Sequence, residues 1–245
     1  MTRQHKRKLT LIISMLLFPV TLLYFSPALP VEGAFLGVVN GSIFVFIALL
    51  ISGILFGRLF CAYLCPGGGI GECAMLAQNK APKIGRRYYI KYFVWIAMIT
   101  GTVFGHIVNT QPVEIDFLFA TDHGISVHNP FYYGIYYGIV LLILLPDLIS
   151  GKRAFCHYIC WMAPFMITGE KIRKVLRMPG LHISHSKEKC NSCQRCVKAC
   201  PMSLRADEIL TNGAITNSEC INCGSCVDIC PQKSLSYKSK GIINQ

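Results

Sequence analysis

The chain has 245 residues, of which 53% are hydrophobic and 15% are charged, and its mean hydropathy is +0.46. An ordinary soluble domain carries about 25% charged residues, so this composition excludes a typical soluble globule. The net charge of +12 suits nucleic acid or the anionic surface of a membrane, and the positions of the basic residues decide between the two.

Four apolar stretches predict four transmembrane helices, since each is close to the roughly 20 residues that a helix needs to cross a bilayer. They lie at about 9–29, 42–60, 88–108 and 131–150. A cleaved signal peptide is the alternative for the first stretch, because small residues and prolines follow it, but its apolar core is long for a signal peptide. Four crossings place both chain termini on the same side.

The basic residues orient these helices. All 24 Lys and Arg lie before residue 9, within 57–91 or after residue 151, and the segments 30–41 and 109–130 contain none. The positive-inside rule therefore predicts a multi-pass protein of a bacterial or archaeal cytoplasmic (inner) membrane, with both termini in the cytoplasm. Membrane lipid accounts for the basic charge, and we expect no nucleic acid partner.

A short motif occurs twice in the apolar region. Arg58-Leu-Phe-Cys-Ala-Tyr-Leu-Cys65 recurs 95 residues later as Arg153-Ala-Phe-Cys-His-Tyr-Ile-Cys160. Each copy follows the second helix of a predicted hairpin, so residues 1–165 are expected to form two helix-hairpin repeats related by an axis along the membrane normal. A basic linker is expected at 166–186, either as an amphipathic helix that faces lipid or as a solvated segment.

The repeated motif supplies four cysteines: Cys61, Cys65, Cys156 and Cys160. Residues at i and i+4 share one face of a helix, so two such pairs related by a twofold axis can converge on one point. Three interpretations remain open: a further iron–sulfur centre, a thiol redox site, or packing of small apolar side chains. An iron and sulfide count distinguishes the first from the other two.

The C-terminal region carries the pattern Cys-x2-Cys-x2-Cys-x3-Cys-Pro twice, ending at Pro201 and Pro231. This spacing is typical of bacterial ferredoxins with two 4Fe–4S clusters, in which the fourth cysteine of each run binds the other cluster. Zinc or disulfides fit the spacing less well. Residues 187–245 are therefore predicted to form a small α+β ferredoxin domain in the cytoplasm. The predicted ligands are Cys190, Cys193, Cys196 and Cys230 for cluster 1 and Cys220, Cys223, Cys226 and Cys200 for cluster 2.

With these motifs, the chain resembles the membrane-bound polyferredoxins of the NapH and NosR type, which combine membrane helices, two Cys-x3-Cys-Pro motifs and a double 4Fe–4S module. Cys61-x3-Cys65-Pro66 fits that pattern, whereas Cys160 is followed by Trp161 and the proline comes only at Pro164. The resemblance implies a predominantly α-helical membrane protein that exchanges electrons between the quinone pool and redox partners, as a subunit of a quinol dehydrogenase or oxidoreductase complex. The alternative is a membrane ferredoxin for redox assembly, maturation or regulation of another metalloenzyme.

Overall fold

The computed structural model describes residues 2–83, 85–110, 112–210, 213–215 and 217–239, with the side chain of Asp207 left out. Over these residues the chain is mostly helical, with two small sheets. Residues 240–245, the last part of the predicted ferredoxin domain, lie outside the described residues.

The first apolar stretch does not form the single helix that its length predicts. It is divided among four short elements: α1 (Arg3–Leu16), α2 (Phe18–Thr21), a 3-10 turn (Leu23–Phe25) and α3 (Ala28–Leu36). Prolines explain the breaks, since Pro19 lies in the first turn of α2 and Pro27 directly precedes α3. Proline lacks a backbone donor and clashes with the preceding turn, so it fits the start of a helix and often ends or kinks a helix elsewhere.

The two copies of the repeated motif have the same local structure. Each consists of a long apolar helix, a five-residue helix that carries the first cysteine, and a third helix that starts after the second cysteine. The first copy is α4 (Gly41–Phe56), α5 (Leu59–Tyr63) and α6 (Pro66–Ala77); after α7 (Ile90–Val108), the second is α8 (Pro130–Ser150), α9 (Ala154–Tyr158) and α10 (Ala163–Val175).

The two copies are interlocked, because α4 packs against α10 while α6 packs against α8. The α4–α10 crossing is very close. A Cβ atom added at Gly53 would lie 2.7 Å from the backbone of Met166, and one added at Gly169 would meet the backbone of α4. Small residues allow such close approach between helices in a membrane. Each repeat therefore completes the packing of the other.

Two of the four predicted spans are long and apolar enough to cross a membrane. They are Arg86–Val108, which comprises a 3-10 turn and α7, and α8, and only 17% and 11% of their apolar windows are buried within the chain. The third apolar helix, α4, has 16 residues and is shorter. Four transmembrane helices therefore remain a prediction.

The two segments without basic residues meet at one end of the molecule. There β1 (Val38–Asn40) pairs in parallel with β2 (Glu114–Asp116), and Val38 is opposite Glu114. The amide of Glu114 also donates to the carbonyl of Gly37. These two segments therefore lie on the same side of the helices.

The C-terminal module contains a three-stranded antiparallel sheet of order β4-β3-β5, together with three short helices. The strands are β3 (His182–His185), β4 (Gly213–Ala214) and β5 (Leu235–Lys238), and the helices are α11 (Arg195–Ala199), α12 (Ala206–Ile209) and α13 (Ser225–Ile229). The ferredoxin runs lie around α11 and α13, which pack against each other.

The segment 166–186, predicted as a basic linker, is an integral part of the fold. It contains most of α10 and all of β3. The first half of this segment is helical, as the alternative of an amphipathic helix expects, but its apolar face packs against α4. Met166, Ile167 and Glu170 share one face of α10 at helical spacing and are buried.

Candidate iron–sulfur sites

A small enclosed cavity in the C-terminal module contains the four cysteines predicted for cluster 2. Cys200, Cys220, Cys223 and Cys226 line an empty volume of about 320 Å³, and most of the remaining wall consists of Ile, Leu and Met side chains. Cys220 and Cys223 precede α13, Cys226 lies in its first turn, and Cys200 follows α11. Four thiols around an apolar cavity fit the ligand set of a 4Fe–4S cluster.

These thiols are strongly desolvated. Burial raises the pKa of Cys200 to about 11 and that of Cys220 to about 12, although backbone N–H groups close to each sulfur partly offset the effect. The thiols of Cys220, Cys223 and Cys200 also raise the pKa of Cys226. Such thiols are protonated at neutral pH unless a metal replaces the proton, since a coordinating thiol is deprotonated outright.

The cysteines predicted for cluster 1 lie nearer the surface. Cys193 is exposed, Cys190 and Cys230 are partly buried, and Cys196 is buried. Burial raises the pKa of Cys196, backbone N–H groups lower it, and the thiols of Cys190 and Cys193 raise it again. These three thiols therefore lie close together. Cys230 follows α13, and its sulfur lies 3.2 Å from the hydroxyl of Ser234. Cluster 1 would therefore lie at the edge of the protein.

The four cysteines of the repeated motif converge on the side of the helices next to the module. All four are buried in one apolar core. Burial raises the pKa of Cys65, and the nearby thiols of Cys61 and Cys160 raise it further. Burial and the Cys61 thiol together raise the pKa of Cys160 to about 11. Cys160 likewise raises the pKa of Cys156. We call this group the four-thiol site.

The sequence argument for this convergence was wrong in one detail. The two cysteines of each pair do not share one helix face, because α5 ends at Tyr63 and Cys65 directly precedes α6. The Cys160 thiol accepts hydrogen bonds from the N–H groups of Met162 and Ala163, and these bonds lower its pKa against the effect of burial. One thiol of each pair thus faces backbone donors at a helix start, where negative charge is stabilised.

The two arginines of the repeated motif are completely buried beside this site. The Arg58 guanidinium donates to the Glu219 carboxylate at 3.0 Å and to the Ser218 carbonyl at 3.0 Å. The Lys91 ammonium binds the other oxygen of Glu219 at 2.7 Å. Burial opposes ionisation of Glu219, but Arg58 and Lys91 outweigh it and lower its pKa to about 2.

His157 also faces Glu219, at 3.6 Å, and its other ring nitrogen lies 3.1 Å from the Met202 carbonyl. Burial lowers the pKa of His157 to about 4, so the imidazole is neutral at neutral pH. Because Glu219 directly precedes Cys220, these contacts connect the helices to the cluster 2 loop.

Arg153, the counterpart of Arg58, binds a different buried carboxylate, that of Glu72. Its guanidinium donates to Glu72 at 2.9 Å and to the Cys61 carbonyl at 3.1 Å, and Arg7 from α1 donates to the same Glu72 oxygen at 2.8 Å. Arg153 also interacts electrostatically with Cys156 and with Cys223 of cluster 2. One buried cation therefore lies between the four-thiol site and the cluster 2 cavity.

Sequence reasoning did not identify the ion-pair partners Glu219, Lys91 and His157. A signal was present, because His157 occupies the position of Ala62 in the repeated motif and Glu219 directly precedes the second ferredoxin run. Asp147 caps α9, since its carboxylate accepts the amide of Phe155 at 2.8 Å. Cys73, which belongs to neither the repeated motif nor the ferredoxin runs, is exposed.

Among the described residues, no three Cys, His, Asp or Glu side chains are close enough to bind a single metal ion. A zinc site needs its ligands within about 2.0–2.3 Å of one ion. In a 4Fe–4S cluster each thiolate binds a different iron atom, so the thiols are spaced more widely. The arrangement of the cysteines is compatible with the larger group.

Comparison with known families agrees with these sites. The model of the 4Fe–4S dicluster domain matches residues 182–231, and that of the 4Fe–4S binding domain matches twice, at 39–84 and 135–179. The chain is a 4Fe–4S binding protein. Each match of the second model contains one Cys-x3-Cys pair of the repeated motif.

Two curated relatives are similar to this 4Fe–4S protein. The methylamine utilization ferredoxin-type protein MauN of Paracoccus denitrificans is 27% identical over 154 residues, which cover 59% of this chain and 48% of MauN. YccM of Escherichia coli, whose name refers to electron transport, is 23% identical over 206 residues, covering 78% of this chain and 54% of YccM. The chain thus spans about half the length of these relatives. No solved structure matches it.

Proposed function

We propose that the chain is a membrane-anchored electron-transfer protein that exchanges electrons between the quinone pool and a redox partner. The main support for this proposal is that the cysteine sites of the chain lie next to one another. Arg153 interacts with Cys61 and Cys156 of the four-thiol site and with Cys223 of the cluster 2 cavity, so these two sites are neighbours.

The cysteine sites form a series from the interior to the surface. Cys196, a predicted ligand of cluster 1, interacts with Cys226 of the cluster 2 cavity, and Cys193 is exposed. A 4Fe–4S cluster takes up or releases one electron at a time. The protein contributes the order of the sites: a buried one among the helices, a second enclosed by the module and a third at the surface, where a partner can approach.

The four-thiol site is proposed to bind a third 4Fe–4S cluster. Its ligands would be Cys61, Cys65, Cys156 and Cys160, all buried. Arg58 and Arg153 would balance the negative charge of four thiolates, and backbone donors at the starts of α6 and α10 would add to this effect. The two networks hold four buried cations, Arg7, Arg58, Lys91 and Arg153, against only the two carboxylates of Glu72 and Glu219. Buried charges persist in a protein only when they are balanced, so this excess of positive charge favours an anionic group over simple apolar packing.

Anchoring in a membrane is supported by α7, α8 and the apolar surface of α4. Ile47, Ile51 and Leu55 of α4 are exposed, as are large apolar side chains along α7 and α8, such as Phe93 and Leu141. Soluble monomers rarely expose apolar patches of this extent. The cation-rich end holds the module, because Arg3 of α1 pairs with Asp228 at 2.6 Å, and by the positive-inside rule this end is cytoplasmic.

The proposal is tested with the full chain purified and reconstituted in lipid vesicles. Quinol is added to the oxidised protein and quinone to protein that dithionite has reduced, and the clusters are followed by EPR. We expect one of these reagents to change the cluster signal within seconds. No response to either reagent, from protein that dithionite does reduce, would refute exchange with quinones.

A further inference from the structure

A large open pocket lies between the first repeat and the C-terminal module. It encloses about 1130 Å³ of empty space. One wall comes from α4 and α5, including Phe56, Phe60 and Leu64, and the other from the module and the start of α1. The iron–sulfur sites described above do not use this pocket.

The pocket opens on the apolar exterior of the helices. Phe56 is 53% exposed and Leu64 is 57% exposed, and Phe56 lies on the same helix as the exposed side chains of Ile51 and Leu55. A hydrophobic molecule in the bilayer could therefore enter without crossing a polar surface. This position favours a ligand with an apolar tail over a water-soluble one.

The polar residues that line the pocket are Arg3, Ser52, Tyr63 and Tyr237. The Arg3 guanidinium stacks on the Tyr237 ring at 4.7 Å from its centre. The Tyr237 hydroxyl donates to the carbonyl of Asn222 at 2.7 Å. Asn222 lies between Cys220 and Cys223 in the sequence, so this part of the pocket adjoins the loop of cluster 2.

The same pocket is close to the four-thiol site. Leu59, Phe60, Tyr63 and Leu64 line it from α5 and its end, whereas Cys61 is buried on the other side of that helix. A helix with its side chains is about 10–12 Å wide, so roughly one helix separates the pocket from the buried thiols. A molecule bound here would have a short path to either cysteine site.

The internal repeat shows that Tyr63 differs from its counterpart. Tyr158 occupies the equivalent position in the second repeat, where it is buried and its hydroxyl donates to the Lys83 carbonyl at 2.8 Å. Tyr63 is only partly buried and lines the open pocket. Tyr158 thus makes a buried structural contact, whereas the equivalent Tyr63 lines the open pocket.

We infer that this pocket binds the head group of a lipid quinone, with its tail along Phe56 and Leu64. This inference rests on the proposed function and assigns its substrate to a place. The phenol of Tyr63 and the guanidinium of Arg3 donate hydrogen bonds to the two oxygens of the ring. Oxidation of one quinol releases two electrons, one to each of two clusters, and two protons. The protons leave the ring oxygens for water at the Arg3 end of the pocket, where the Arg3 side chain is 35% exposed.

The test compares pocket variants with matched variants on the lipid-facing surface. Phe56→Trp narrows the pocket and Tyr63→Phe removes one donor without changing the shape. Phe93→Trp on α7, where Phe93 is 74% exposed, and Tyr137→Phe on α8 make the same changes away from the pocket. Iron content and reduction by dithionite are measured for every variant, and reduction by a short-tailed quinol, or oxidation by the quinone, is followed by stopped-flow absorbance.

We expect Tyr63→Phe to weaken the apparent quinol affinity about tenfold, as for one lost hydrogen bond. Phe56→Trp is expected to slow the quinone-linked reaction by at least about tenfold, while both surface variants match the unaltered protein. Equal quinone-linked rates in the pocket and surface variants would overturn the location. A lack of response in the unaltered protein would instead refute the proposed function. If Phe56→Trp loses iron, the location of the quinone is judged from Tyr63→Phe alone, because this variant keeps the shape of the side chain.

Discussion

Replacement of Glu219 by Gln tests how the C-terminal module is attached to the helices. The carboxylate of Glu219 is buried and binds Arg58 and Lys91 at 3.0 and 2.7 Å. The variant keeps the shape of the side chain and leaves two buried cations without their counterion. Removing one partner from a buried ion pair costs about 3–5 kcal/mol.

The lowered pKa of Glu219 gives a similar value for the free-energy cost. Its pKa is lowered from 4.5 to about 2, because the two cations outweigh the effect of burial. At 1.36 kcal/mol for each pKa unit, this difference corresponds to about 3 kcal/mol. For a chain of this size, about 3 kcal/mol lowers the midpoint of thermal unfolding by roughly 6–12 °C.

The sign of the pH dependence follows from the lowered pKa. The folded state binds fewer protons at Glu219 than the unfolded state, so its stabilisation is fully present above about pH 4.5, the ordinary glutamate pKa. It is lost as the pH falls from there toward about 2. Glu219→Gln should therefore destabilise the protein at pH 7, and the difference from the unaltered chain should shrink in acid.

Thermal unfolding in detergent, followed by circular dichroism with iron content as a check, measures this effect. Asp228→Asn is the matched control, because Asp228 also connects the module to the helices, through Arg3, but this pair is about one-third exposed. An exposed pair contributes about 0–1 kcal/mol. Equal unfolding midpoints for Glu219→Gln and Asp228→Asn would refute the importance of the buried network.

Three further predictions concern the second ion pair, the cluster ligands and the helix packing. Glu72→Gln should destabilise the helices by about 3–5 kcal/mol, since it leaves two buried arginines unpaired, and thermal unfolding measures the loss. Cys200→Ala should remove one of the EPR signals of the module, whereas Cys73→Ala should leave iron content and spectra unchanged. Gly53→Ala should cost about 1–3 kcal/mol, because its Cβ would lie 2.7 Å from the Met166 backbone.

Each of these has an outcome that contradicts it. Gly138→Ala is the control for the packing variant, because a Cβ at Gly138 meets nothing within 4 Å, and equal stability of the two variants would argue against the close crossing. An unchanged EPR spectrum in Cys200→Ala would show that Cys200 is not a ligand. Glu72→Gln with an unchanged unfolding midpoint would show that other groups compensate its arginines.

The cysteine sites could be predicted from the sequence because cluster ligands are encoded at short, fixed spacings. The runs that begin at Cys190 and Cys220 each place three thiols on one loop, and the repeated motif indicated where two further pairs would meet. The cavity lined by Cys200, Cys220, Cys223 and Cys226 has the membership that the spacing predicts. Its occupancy by a cluster stays a prediction.

The rest depends on tertiary contacts that spacing does not encode. Glu219 contacts Lys91 of α7, Arg58 at the start of α5 and His157 of α9, all of which are distant from it in sequence. The first apolar stretch has the length of a transmembrane helix, but its prolines divide it. The basic residues of α10 allowed a solvated segment or an amphipathic helix on lipid, but the sequence does not show that the apolar face of α10 packs on α4.

We propose that the chain holds three iron–sulfur clusters in series, the innermost one at the four-thiol site. Quantification of iron and sulfide in the purified, anaerobic protein, together with EPR, tests it most directly. We predict about 12 iron atoms per chain, four for each of three clusters, and about 8 in Cys156→Ala with the signals of the module retained. About 8 iron atoms in the unaltered chain, with no loss in Cys156→Ala, would contradict the account.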